Sequence, residues 1–166
     1  MGLKIITNSS RETKKLGKVL AEDILKRNLK KQAFVIGLIG DLGGGKTTFL
    51  QGFAKGLGIR TRILSPTFVI IKRFEIQNSR FKNFYHIDCY RIEKPKEILK
   101  LGFADIIKDP QNIVAIEWAE KIQKILPREM LILKFKFLEK NKREIKISGY
   151  PTVDNYLLTR FLNLIK

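Results

Sequence analysis

The spacing of apolar and polar positions divides the chain into alternating helical and strand-like segments. From Ser9 to Lys26, Leu16, Val19, Leu20 and Ile24 recur at the intervals that put side chains on one helix face, and Ser9 with Glu12 has the form of a capping box. Residues Ala33 to Ile39 (AFVIGLI) are continuously apolar and rich in branched side chains, the pattern of a buried parallel strand. A glycine-rich stretch follows directly. Phe49, Phe53 and Leu57 then continue a second helix, ending near Gly56 and Gly58. Between Thr67 and Asp88, the segments FVIIKRFEI and FKNFYHID, joined through Asn78 and Ser79, predict an antiparallel hairpin. A short helix is expected around Lys96 to Leu101, and an apolar strand over Asn112 to Glu117 (NIVAIE). Two alternating strands, LILKFKF and REIKIS, turn at Glu139 to Lys142, and a last helix from Asp154 presents Leu158, Phe161, Leu162 and Ile165. This order predicts an α/β fold in which the hairpin and the two late strands interrupt a parallel core.

Length and composition narrow the picture. With 166 residues, 44% of them hydrophobic, the chain is long enough for one substantial core, so a single domain over residues 1–166 is expected, without repeats or linkers. Its longest apolar runs, such as Phe34 to Ile39 and Met130 to Leu133, fall far short of the roughly 18 residues of a membrane span. The opening MGLKIITNSSRE lacks an apolar stretch followed by a small-residue cleavage site, so it does not read as a secretory signal and a cytoplasmic location is expected. The single cysteine, Cys89, can make neither an internal disulfide nor a cysteine-rich metal site, in keeping with a reducing compartment. A formal charge of +17 would attract phosphate-rich partners. The lysines are spread along the chain, however, and neither an RNA-binding aromatic signature nor an Arg-rich segment stands out. Most of the excess is therefore read as a compositional bias that solvates the surface.

Candidate chemistry begins with Gly40-Asp41-Leu42-Gly43-Gly44-Gly45-Lys46-Thr47, which fits G-x-x-x-x-G-K-[ST] and lies between a buried strand and a helix, as a phosphate-binding loop requires. Glycines let the backbone wrap closely around phosphate oxygens, so that N–H groups and the positive helix end point at the anion. Lys46 supplies a point charge for the outer phosphates, and Thr47 places a hydroxyl on Mg²⁺, an ion that prefers oxygen ligands. ATP and Mg²⁺ are thus the expected cofactors, in a P-loop NTPase fold with a mixed, mostly parallel central sheet flanked by helices.

Two acids stand at strand ends. In His86-Ile87-Asp88-Cys89-Tyr90-Arg91, alternation puts His86 and Asp88 on one face. Asp88 could orient or deprotonate an attacking water or bind Mg²⁺ through water, while a turn cap is its ordinary alternative. His86 reads as a structural residue and Cys89 as core. Glu117 closes its apolar strand as the second acid of a nucleotide site does when it reaches the metal from a neighbouring strand. Its alternative is a salt-bridged helix start, since Trp118 to Lys121 begin a short helix. Trp118 could cover the site or merely pack. Ser65-Pro66-Thr67-Phe68 has the proline and hydroxyls of a nucleotide-sensing switch, and equally those of a strand-entry turn.

In this order, GDLGGGKTTF, SPTF, HIDCYR and IEWAE resemble the TsaE family, the bacterial P-loop ATPases of tRNA threonylcarbamoyladenosine formation, and the resemblance covers most of the chain. It implies a cytoplasmic Mg²⁺-dependent ATPase, slow alone and stimulated by partners. Those partners would be the TsaD and TsaB proteins, which transfer the threonylcarbamoyl group to position 37 of tRNAs reading codons that begin with A; tRNA would be met indirectly, through the complex. By matching motif positions, Gly43, Gly44, Gly45, Lys46, Thr47 and Thr48 would hold the phosphates, and Thr47 and Glu117 would contact Mg²⁺. Asp88 would be the acid needed for hydrolysis, acting together with Lys46. Ser65, Pro66, Thr67 and Phe68, with Trp118, would form a switch. Ser10, Thr13 and Arg143 correspond to the family's positions for the base end of the nucleotide; Arg143 shares the inward parity of Ile145 and Ile147. The chain departs from the family pattern at Ala119, where proline is common, and at Gly44, where alanine is. Two other readings fit the same residues: a nucleotide-gated binding module in which occupancy does the work, and a small-molecule kinase, for which no arginine-rich lid is visible.

Overall fold

The computed structural model describes residues 2–28, 31–65, 70–78, 80–149 and 155–166. In chain order its elements are β1 (Leu3–Thr7), α1 (Ser10–Lys26), β2 (Phe34–Gly40), α2 (Lys46–Gly56), β3 (Ile71–Glu75), β4 (Asn83–Asp88), α3 (Pro95–Leu99) and α4 (Phe103–Lys108). There follow β5 (Asn112–Glu117), a 3-10 helix over Ala119–Ile125, β6 (Leu131–Glu139), β7 (Lys142–Gly149) and α5 (Asn155–Ile165).

The strands form one seven-stranded sheet in the order β1-β7-β6-β2-β5-β4-β3. Its heart is parallel, β6-β2-β5-β4. At one edge β3 returns antiparallel on β4; at the other, β7 returns on β6 and β1 pairs antiparallel with β7. The expected mixed α/β P-loop sheet is what forms. The runs FVIGLIG and NIVAIE become its central strands because both of their faces are covered: every residue of β5 is buried.

Strand parity sorts the core into two layers. Phe34, Ile36, Leu38, Phe84, Ile113, Ala115 and Leu133 face α1, α2 and α5, meeting Leu16, Leu20, Phe49, Phe53 and Phe161. Val35, Ile87, Cys89, Val114 and Ile116 face the other way, under Ile98, Phe103 and Ile122. Each fully buried side chain of this size contributes about 1.5–3 kcal/mol relative to exposure. The parity also fixes the side on which the strand-end polar residues emerge. His86 and Asp88 continue the Phe84 row, and Glu117 continues the row of Ile113 and Ala115, so all three fall on the α2 side of the sheet.

Several local expectations are met. Ser9 caps α1, its hydroxyl accepting the Glu12 N–H at 3.1 Å, although Glu12 reaches back to the Asn8 N–H (2.7 Å) and not to that of Ser9. The hairpin turns through Asn78, whose side-chain oxygen accepts from the N–H groups of Arg80 and Phe81; Ser79 lies outside the described residues. Two elements go beyond the sequence expectations, β1 and α4. In α5 Leu157 and Phe161 are buried and Leu158 and Ile165 pack against the core beside them, so of the expected apolar positions only Leu162, 42% exposed, faces away. Asp154, expected to open that helix, lies outside the described residues.

Candidate nucleotide site

β2 leaves the sheet at Gly40, and six residues later α2 begins at Lys46. Gly45 stands at the cap with φ 99°, in the left-handed region that favours glycine, and no side chain caps the first turn of α2. The N–H groups at this helix end are therefore open to an anion, and the helix dipole favours one there. A Cβ added at Gly44 would meet the Asp41 carbonyl oxygen at 2.9 Å, so this loop is fitted to glycine where the family often has alanine.

Lys46 is only 5% exposed, and its Nζ donates to the carbonyl oxygens of Gly40 (2.8 Å) and Asp41 (2.7 Å). The same ammonium lies 4.1 Å from the centre of the Trp118 ring. Burial lowers its pKa, and the carboxylates of Glu117, Glu120, Asp41 and Asp88 work against that shift. Trp118 reaches this position from a left-handed backbone (φ 58°, ψ 40°), an unfavourable state for a non-glycine residue that costs on the order of 1–3 kcal/mol. The Tyr90 ring packs against that of Trp118, with ring centres 5.2 Å apart. Ala119, the second departure from the family pattern, is buried at the start of the 3-10 helix.

The acids converge through register. Asp88 and Glu117 are direct partners across the parallel pair β4/β5, and Glu117 is also level with Leu38 of β2, two residues before the loop. Thr47, in the first turn of α2, donates its hydroxyl to the Glu117 carboxylate, 3.1 Å from either oxygen. Behind it, His86 Nε2 is 2.8 Å from Glu117 Oε1, and both residues are buried. Asp88 is engaged on both oxygens: Oδ2 accepts from the Ser65 hydroxyl (2.8 Å) and Oδ1 from the Tyr90 N–H (2.9 Å).

Arg143 approaches from β7. Its Nη2 donates to the Gly43 carbonyl at 3.2 Å, its guanidinium sits 4.5 Å from the Phe137 ring centre, and its Nε is buried without a partner. Thr13 lines the same cleft, but its hydroxyl is engaged elsewhere: it pairs with that of Thr7 (2.8 Å) and donates to the Ser9 carbonyl (3.2 Å). A cleft of about 600 Å³ gathers Ser10, Thr13, Gly43, Gly44, Gly45, Lys46, Thr47, Thr48, Ser65, Asp88, Glu117, Trp118 and Arg143. Pro66, Thr67 and Phe68 lie outside the described residues. The cleft also takes in Leu42, Ile70, Tyr90, Arg91, Lys140 and Asn141, none of which the sequence marks as a site residue. His86, expected to be structural, stands behind the site, and its parity with Asp88 is the sequence signal for that position.

The donors suit a hard divalent cation. A hydroxyl and a carboxylate already in contact at the phosphate loop supply the oxygen ligands that Mg²⁺ prefers. Among the described residues no cluster of three or more His, Cys, Asp or Glu could hold a metal, so such an ion would complete its shell with phosphate and water.

A glycine loop between a buried parallel strand and the uncapped end of a helix, with acids at adjoining strand ends, defines a P-loop protein. The chain belongs to the TsaE family: the family model described as "Threonylcarbamoyl adenosine biosynthesis protein TsaE" matches residues 7–145. A Bacillus subtilis relative named tRNA threonylcarbamoyladenosine biosynthesis protein TsaE is 41% identical over 147 residues, covering 89% of this chain and 85% of the relative. One of the same name from Rickettsia typhi is 39% identical over 137 residues, covering 82% of this chain and 88% of the relative. The crystal structure of Bacillus subtilis YdiB is similar at a TM-score of 0.69 and 31% identity, over 100% of this chain and 97% of that one. No helix among the described residues is long and apolar enough to cross a membrane.

Proposed function

We propose that this protein is the ATP-hydrolysing subunit of threonylcarbamoyladenosine formation on tRNA, a cytoplasmic Mg²⁺-dependent ATPase that works with the TsaD and TsaB proteins. The observation that carries this reading is the contact of Thr47 with Glu117, made beside Asp88 at the mouth of the phosphate loop. The names of the relatives support the pathway, and the open end of α2 supports a nucleotide.

The loop N–H groups from Gly43 to Thr48 would bind the phosphates, and Arg143, Ser10 and Thr13 would border the base end of the nucleotide. Mg²⁺, held by Thr47 and Glu117, would supply charge neutralisation at the phosphate oxygens. His86 keeps the Glu117 carboxylate oriented through its 2.8 Å contact. Lys46 would exchange its two carbonyl partners for phosphate oxygens, a move of the ammonium that also takes it off the Trp118 ring. Asp88 would position the attacking water, for which Ser65 must first release its hydrogen bond; the hydroxyl of the switch segment is thereby tied to the hydrolytic acid.

That tie also favours a second reading, in which nucleotide occupancy sets the state of the Ser65 segment and hydrolysis is dispensable. Phosphate release and repeated tRNA modification, measured together in the reconstituted system with TsaB, TsaD and tRNA, separate the two. The ATPase reading expects Lys46→Ala, Glu117→Ala and Asp88→Ala each to lower phosphate release on the order of 10²-fold, with modification falling alongside. Normal release by Lys46→Ala or Glu117→Ala would reject the site, and full repeated modification by Asp88→Ala without release would favour the occupancy reading.

A further inference from the structure

A second concavity, of about 1140 Å³, lies apart from the nucleotide cleft, between α1 and the end of α2 with the segment that follows it. On α1 its wall is Arg11, Lys14, Lys15 and Lys18, at the i, i+3, i+4 and i+7 positions that share one helix face. The facing wall brings Lys55, near the end of α2, and Arg60 and Arg62, on the way to Ser65. Among the described residues no Asp or Glu lines the groove. With 33 Lys and Arg to 16 Asp and Glu in the whole chain, seven charges drawn at that ratio would include about two carboxylates. The fold has therefore segregated cations that look evenly scattered in the linear sequence.

The two walls are brought together at glycines. A Cβ on Gly52 would stand 1.9 Å from the Lys14 carbonyl oxygen, and one on Gly56 would stand 2.6 Å from that of Lys18. The helix backbones touch there, and their basic faces merge into one surface. Lys15 is tied to the Leu164 carbonyl and Lys18 lies 3.7 Å from the Glu22 carboxylate. Arg11, Lys14, Lys55, Arg60 and Arg62 are exposed and make no ion pair or side-chain hydrogen bond among the described residues. Five such cations on one groove repel one another, and the repulsion is relieved when a row of phosphates neutralises them and releases its counterions.

We infer that this groove binds the phosphate backbone of double-helical RNA. Among the described residues no aromatic side chain lines it, so they offer no platform for stacking unpaired bases, and recognition falls to the sugar–phosphate backbone. Its apolar lining among the described residues is Ile59 and Ile63, and both pack into the core, so these offer nothing to insert into a lipid surface. The choice of RNA over another polyphosphate rests on the proposed role in tRNA modification. The electrostatic argument does not depend on ATP hydrolysis, and either can fail alone.

The test is fluorescence anisotropy of a labelled tRNA transcript titrated with the full chain, without nucleotide, across a salt series. Arms with a duplex DNA of equal phosphate count and with anionic phosphatidylserine vesicles accompany it. Arg11→Glu/Arg60→Glu/Arg62→Glu is expected to weaken tRNA binding by at least about 30-fold and to reduce the slope of log K against log salt by about 2 to 3. A charge-matched variant on other faces, Lys108→Glu/Lys124→Glu/Lys136→Glu, is expected to change affinity by less than about threefold. The milder Arg11→Gln/Arg60→Gln/Arg62→Gln should reproduce the direction of the loss with an unchanged melting curve. The inference is overturned if the wild type does not bind the transcript, if both triple Glu variants lose affinity equally, or if duplex DNA or vesicles are bound more tightly than tRNA.

Discussion

Replacing Gly52 by alanine sets two opposite effects against each other. Gly52 lies inside α2, where alanine is the better helix former by about 1 kcal/mol, so propensity alone says that the variant should be more stable. The fold says the reverse. The new Cβ would stand 1.9 Å from the Lys14 carbonyl oxygen, against the 3.4 Å at which ordinary contact begins, and its next neighbours are the Lys14 carbonyl carbon at 2.5 Å and Cα at 2.6 Å. These are backbone atoms of α1 and cannot rotate away, so the helices must separate by about 1.5 Å, an overpacking at or above the upper end of the usual 1–3 kcal/mol. The net expectation is a loss of about 2 kcal/mol, or a fall in Tm of about 4–8 °C for a chain of this length. Thermal unfolding followed by circular dichroism at fixed protein concentration measures it. An unchanged or raised Tm would refute the close helix contact, and with it the merged basic surface that depends on it.

Trp118, Cys89 and His86 give further outcomes at the site and in the core. Trp118 is the only tryptophan, and its ring covers the Lys46 ammonium, so its fluorescence should change saturably as ATP draws Lys46 away; Lys46→Ala should abolish the change, and a silent wild type would contradict the proposed movement. The Cys89 thiol is pushed from 9.0 up to about 12, by burial first and then by Asp88, so native protein at neutral pH should resist a thiol reagent that labels the unfolded chain promptly. Because the unfolded thiol ionises first, this group removes stability as pH rises from 9.0 towards about 12; a denaturation midpoint that climbed through that window in wild type but not in Cys89→Ala would contradict the assignment. His86→Phe leaves Glu117 Oε1 with only the shared Thr47 hydroxyl and should cost about 1–3 kcal/mol in urea unfolding; an unaltered midpoint would mean that the buried contact contributes nothing.

The parts of this protein that were legible in its sequence are those whose cause is local. The apolar runs of β2 and β5 and the glycine loop between β2 and α2 each carry their own pattern. The β1 strand does not: Leu3–Thr7 becomes a strand by pairing with β7, with Lys4 bonded to Glu144, and nothing near the N-terminus announces a partner so far along the chain. In α4 the six residues are too few for a helical period to emerge. At the site, the residue types at Thr47, Asp88 and Glu117 were readable, but their convergence depends on the register of β4 with β5. Strand alternation put His86 beside Asp88 yet could not say that its ring would meet Glu117 from the next strand. The left-handed turn at Trp118 and the diversion of the Thr13 hydroxyl to Thr7 likewise depend on tertiary neighbours.

In the proposed site, Thr47 and Glu117 form the oxygen pair that fixes Mg²⁺ beside a nucleotide held by the loop. Calorimetric titration of ATP, with and without Mg²⁺, into the wild type, Thr47→Val and Glu117→Gln is the decisive measurement. Mg²⁺ should strengthen ATP binding to the wild type by about 10-fold or more, and each variant should lose that gain while keeping its Mg²⁺-free affinity. A full Mg²⁺ enhancement in both variants would rule out Thr47 and Glu117 as the pair that holds the ion.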